Sequence, residues 1–264
     1  MNPADMVALA RARWPQIEIR CPQPSLAAAE LAADVAERLR QAVQQRGRAV
    51  LCVSGGRSPV AFFEALRSQP LDWDRVAITL VDERCIPPDH PDSNARLVRE
   101  HLLQGAVAAA RFVPLVDDAF AGDGGALHEP QALARHADDA IAELPVADVL
   151  VLGMGADGHT ASLFPGSPDL AQALNLATPA RVCALRLPEP PPLPAHPRLS
   201  WTLAHILRAR HIALPVQGAD KLATLAAAAG EGAPSGRGAL PLNALPICHV
   251  LQQTATPVSL WLPS

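Results

Sequence analysis

A single α/β domain spanning residues 1–264, built on a central, mostly parallel sheet with helices on both faces, is the fold this sequence predicts. Three observations carry it. Short, largely apolar runs recur at 49–53, 76–81, 148–152 and 211–216, the signature of strands buried on both faces. Segments with helical spacing lie between them. Glycines or charges follow the runs directly, where open parallel sheets bind ligands.

The elements follow in order. Leu31, Val35, Leu39 and Val43 recur every four residues, and Gly47 stops the pattern, so 26–45 reads as a helix. Residues 49–53 form a buried strand, 54–58 a loop, and Pro59 opens a helix to about Leu66. Residues 76–81 form a second strand ending in Asp82-Glu83-Arg84. After the loop 87–92, Ser93 caps a helix over 94–103. A Gly-rich loop covers 121–125 and a helix 131–144. Strands are expected at 148–152, 181–187, 211–216 and 257–262, and a helix at 220–228. The proline-rich stretch 188–197 excludes helix and central strand and reads as a surface connector.

Bulk properties narrow the function. The 264 residues are 49% hydrophobic, enough for a sizeable core, and the net charge of -4 offers no basic surface for nucleic acid. The five cysteines are odd in number and widely spaced, without a C-x-x-C pair, so neither a disulfide framework nor a zinc site is indicated. Cys52 reads as a buried small hydrophobe. Residues 1–14 carry Asp5, Arg11 and Arg13 and have no uninterrupted apolar region, which argues against a signal peptide. No stretch reaches the length of a membrane span. A cytoplasmic protein is expected, with no membrane partner.

Three expected strand ends can carry chemistry. In Ser54-Gly55-Gly56-Arg57-Ser58, glycine lets the backbone approach a ligand, and the next helix offers N–H groups to an anion. A plain turn is the alternative. Arg84 in Asp82-Glu83-Arg84 can hold a phosphate or a developing oxyanion, and a solvated ion cluster is the alternative. In 153–162, Gly153, Gly155 and Gly158 permit tight turns, and a turn can bring Asp157 against His159. Imidazole is the ordinary general base at neutral pH, and an adjacent carboxylate fixes its tautomer. Arg198 and Lys221 add cations, each a surface charge if it does not converge on the rest. Gly153-x-Gly155-x-x-Gly158 matches a dinucleotide fingerprint, but Phe164-Pro165-Gly166 falls where the long helix should run. No metal-ligand spacing is visible.

Nearly the whole chain resembles the 6-phosphogluconolactonases, within the group that includes glucosamine-6-phosphate isomerases. The resemblance rests on 54–59, on Asp82-Glu83-Arg84 with Pro88, Ser93 and Asn94, on 153–165, on 197–202 and on 218–221. It implies a Rossmann-like single domain of the sugar-phosphate isomerase type. It implies hydrolysis of 6-phospho-D-glucono-1,5-lactone to 6-phosphogluconate, in the oxidative pentose phosphate pathway, with no metal and no organic cofactor. By position, His159 is the base that activates water and Asp157 stands beside it. Arg84 contacts phosphate or oxyanion. Gly55, Gly56, Arg57, Ser58, Arg198 and Lys221 hold the phosphate. The partner is then a small sugar-phosphate lactone, and the assembly a monomer or small homo-oligomer.

Two rivals remain. The isomerase branch looks similar, but its members carry an acid five positions after the histidine, where Phe164 stands here. A sugar-phosphate sensor without catalysis would look like this fold with a helix-turn-helix attached, and the segment before Leu26 is too short for one.

Overall fold

The computed structural model describes residues 2–56, 58–118, 129–230 and 244–264. Its strands are β1 (Glu18–Arg20), β2 (Ala49–Val53), β3 (Val76–Leu80), β4 (Asp82–Arg84), β5 (Arg111–Val113), β6 (Val149–Val151), β7 (Val182–Leu185), β8 (Arg198–Trp201), β9 (Ile212–Pro215) and β10 (Val258–Trp261). Its helices are α1 (Pro3–Arg13), α2 (Ala27–Arg46), α3 (Val60–Arg67), α4 (Asn94–His101), α5 (Pro130–Ala142), α6 (Leu170–Ala173), α7 (Leu203–Ile206), α8 (Ala219–Gly230) and α9 (Pro246–Leu251). The stretch 121–125, expected to be a loop, lies outside the described residues.

Seven parallel strands form the main sheet in the order β1-β10-β9-β6-β2-β3-β5. Every residue of β2 is buried, as a central strand covered on both faces requires. Leu31, Val35, Leu39 and Val43 of α2 are buried, and the helix ends where Gly47 takes a φ of 74°, a left-handed cap that costs glycine least. The chain runs from β2 outward through β3 to β5, then returns to β6 on the other side. The switch point of the sheet therefore lies between the carboxyl ends of β2 and β6, where a crevice forms.

One expectation needs correction. Residues 82–84 do not simply end the second strand, and the alternative of a solvated ion cluster falls with that. They form β4, and Asp82 and Glu83 are buried. β4 pairs antiparallel with β8, and β8 with β7, in a separate three-stranded sheet. The connector 188–197 contains neither helix nor strand, as its prolines dictate. Helix α1 and strand β1 were not anticipated. α1 buries only Met6 and Ala10, so it shows no apolar stripe, and β1 is a polar edge of three residues.

Candidate active site

Both glycine loops meet at the switch point. Ser54 Oγ accepts the N–H of Gly153 at 2.9 Å, which ties the loop after β2 to the loop after β6. A Cβ on Gly55 would stand 1.9 Å from Asn94 Oδ1, so only glycine lets the backbone pass there.

The loop after β6 is built to present an imidazole. Thr160 Oγ1 donates to the Gly153 carbonyl at 2.8 Å, and the Gly155 N–H donates to the His159 carbonyl at 2.9 Å. Asp157 Oδ1 lies 2.5 Å from His159 Nδ1 and also accepts the His159 N–H at 3.1 Å. Burial raises the Asp157 pKa, but the hydrogen bond and charge of His159 outweigh it and hold the carboxyl below its usual value. With Nδ1 engaged, Nε2 is the ring nitrogen left for chemistry. A Cβ on Gly155 would fall 2.2 Å from the His159 ring, so that glycine makes room for the imidazole. Phe164 packs against the ring with centroids 4.4 Å apart.

The small sheet supplies two arginines. Arg84 and Arg198 face each other as register partners across β4 and β8. Arg84 Nη1 donates to the Asp92 carbonyl at 2.5 Å and to Asn94 Oδ1 at 2.9 Å. Arg198 is buried, donates from Nη2 to the Pro194 carbonyl at 2.8 Å, and sets its guanidinium 5.9 Å from the Phe164 ring centre. Burial first, and then the charge of Arg84, lower the Arg198 pKa to about 10. Arg84 Nε and Arg198 Nη1 are buried donors that find no acceptor among the described residues, a costly state that an anion would relieve.

Glu83 anchors this arrangement from behind. Its carboxyl accepts the N–H groups of Arg84, Asn94 and Ala95 at 2.7, 2.8 and 2.7 Å and the Ser93 hydroxyl at 3.1 Å. It thereby joins β4 to the start of α4. Burial raises its pKa to about 7 against the opposing pull of those donors.

Lys221, in the first turn of α8, donates from Nζ to Ser58 Oγ at 3.1 Å. Burial lowers its pKa. A cavity of about 370 Å³ unites Gly55, Gly56, Ser58, Arg84, His159, Arg198 and Lys221 on its walls. Asp157 stands behind the imidazole and does not line the cavity. Arg57 lies outside the described residues. The walls also include Asp82, Asn94 and Ser162, which were not among the expected site residues. Asp82 Oδ2 accepts the Ser162 hydroxyl at 2.6 Å. Their signal was present in the sequence, since Ser162 and Asn94 belong to the quoted motifs.

Comparison with known proteins places the chain in a family. A 6-phosphogluconolactonase of Pseudomonas putida is 53% identical over 201 residues, covering 76% of this chain and 78% of the relative. One from Rhizobium meliloti is 40% identical over 91% of this chain and 96% of its own length. The crystal structure of a 6-phosphogluconolactonase from Shewanella baltica superposes with a TM-score of 0.80 at 37% identity, covering 93% of this chain and 97% of that one. A monomeric glucosamine-6-phosphate deaminase, at 16% identity and a TM-score of 0.71, shares the fold alone. The family model described as glucosamine-6-phosphate isomerases/6-phosphogluconolactonase matches residues 22–256, and the chain belongs to that family.

Proposed function

We propose that this chain, acting as one domain, hydrolyses 6-phospho-D-glucono-1,5-lactone to 6-phosphogluconate in the oxidative pentose phosphate pathway. One observation carries the reading. An Asp157-oriented imidazole and two buried arginine donors without acceptors among the described residues share one cavity with Lys221.

Water attacks the lactone carbonyl and gives its proton to Nε2 of His159. Asp157 keeps the tautomer and stabilises the imidazolium. Arg198, expected at the phosphate, shares Phe164 with the imidazole, and in this reading it offers the Nη1 that has no acceptor among the described residues to the tetrahedral oxyanion. The ring oxygen leaves and takes the proton back from the imidazolium. Lys221, Ser58 and the N–H groups of Gly55 and Gly56 hold the phosphate, with Arg84 beside them. Arg57 adds its charge to the same loop. The reaction consumes water and transfers no electrons, so base and cations suffice for its balance. Phe164 against the imidazole favours hydrolysis over the isomerase reading, because a phenyl ring moves no proton.

No helix among the described residues is long and apolar enough to cross a membrane. A cytoplasmic enzyme that acts as a monomer or small homo-oligomer and binds no nucleic acid completes the proposal.

Freshly made lactone tests it, with wild type and His159→Ala compared after subtracting the spontaneous rate. Wild type is expected to be fast. The variant should lose roughly 10²–10⁴-fold, the range of one general base. No hydrolysis above background by wild type overturns the reading.

A further inference from the structure

Beside the small sheet, residues 85–93 meet the connector 188–197. His90, Asp92 and His196 converge there, with their ligand atoms within 4.8 Å of one another. Asp92 Oδ2 lies 3.0 Å from His196 Nε2 and 3.9 Å from His90 Nδ1. The two rings stand edge to face, with centroids 5.5 Å apart. His90 Nδ1 accepts the Asp92 N–H at 3.0 Å, so an ion bound at that nitrogen takes the place of this hydrogen bond. None of the three side chains lines the substrate cavity. Their exposures of 39%, 39% and 29% leave room for solvent ligands. An exposed His–Asp pair contributes little stability, and it engages one imidazole only. The second imidazole, turned inward by the Asp92 N–H, brings a third donor atom to the same point.

We propose that His90, Asp92 and His196 form a divalent transition-metal site of the zinc class, with water completing the coordination. Imidazole nitrogens suit zinc, nickel or copper, whereas magnesium and calcium prefer oxygen ligands throughout. Bonds of about 2.0–2.2 Å to a tetrahedral ion put ligand atoms roughly 3.3–3.6 Å apart, a spacing that the 3.0 and 3.9 Å separations bracket. The ion would staple two segments that lie 104 residues apart in sequence. Those segments already hold the pocket arginines through the carbonyls of Asp92 and Pro194. The site does not depend on the reaction proposed above.

The test titrates the full chain, stripped of metal by chelator dialysis, with Zn²⁺ by calorimetry and with Co²⁺ by visible absorption. One equivalent of zinc is expected, with cobalt d–d bands and a melting temperature that rises with zinc. His90→Ala and His196→Ala should each weaken zinc binding by more than the roughly 10–100-fold that losing an outer-shell partner costs. They should also abolish the thermal shift. Circular dichroism checks their folding, and Asp92→Asn replaces a variant that fails it. Exposed Cys21 and the His159–Asp157 pair are the competing zinc donors. Zinc bound equally well by both variants, or not bound by wild type, overturns the site.

Discussion

The two sheets bury different things. In the seven-stranded sheet the five residues of β2 are all buried and apolar. In the three-stranded sheet β4 reads Asp-Glu-Arg, with Glu83 fully buried, and β8 begins with buried Arg198. Apolar burial stabilises without regard to partners, whereas a buried charge destabilises unless its partners are complete. Glu83 has four donors. Arg84 and Arg198 each keep a donor unused among the described residues. The large sheet thus supports the glycine loops, and the small sheet brings two cations to the same cavity.

The largest expected effect breaks the small sheet. Glu83→Ala removes the acceptor of three backbone N–H groups and a hydroxyl. It should cost about 3–5 kcal/mol in urea unfolding. Ile78→Val in β3 should cost about 0.5–1.5 kcal/mol. Equal costs would mean that Glu83 fastens nothing. The Glu83 pKa is raised from 4.5 to about 7 in the folded state. Its stabilisation is therefore fully present below about 4.5 and is lost as pH rises through about 7. Relative to Glu83→Gln, wild type should be more stable at low pH than at high pH within that window.

Arg198→Met sharpens the contrast. It removes a buried cation whose Nη1 has no acceptor among the described residues, so stability should stay level or rise. kcat/KM should fall about 10–100-fold, the loss of one charge-assisted hydrogen bond of about 1.5–3 kcal/mol. A variant that unfolds more easily but turns over normally would make Arg198 a scaffold residue.

The same division explains what was legible in the sequence. β2, β3, β6 and β9 announce themselves as apolar runs, and α2 by its four-residue repeat. Gly55 and Gly155 were readable as loop glycines after expected strands, and the structure supplies their reason, since a Cβ at either would overlap a neighbouring side chain. The partnership of β4 and β8 left no such trace. β4 is charged throughout, the polar–apolar alternation of β8 runs for only four residues, and the Arg84–Arg198 register joins distant parts of the chain. His90, Asp92 and His196 escaped for the same reason, because no local spacing marks ligands brought together by folding. Asp82 read only as one charge of a strand-end cluster, whereas in the structure it accepts the Ser162 hydroxyl and lines the cavity.

A small stability loss belongs to the loop on the large sheet. The Asp157 side chain is 50% exposed, so its pairing with His159 is screened by water. Because the folded pKa is depressed, its contribution is present above the unfolded value of about 3.9 and disappears as pH falls through the folded value. Asp157→Asn should therefore cost under about 1 kcal/mol at pH 7, and the difference should vanish in acid. Its consequence lies in kcat. An amide nitrogen turned toward Nδ1 would leave the proton on Nε2, and that tautomer accepts nothing from water. A melting curve close to wild type beside a depressed kcat would assign the pair to orientation rather than to the scaffold. A stability loss as large as that of Glu83→Ala would erase the distinction between the two sheets, because both would then fasten the fold through buried charge.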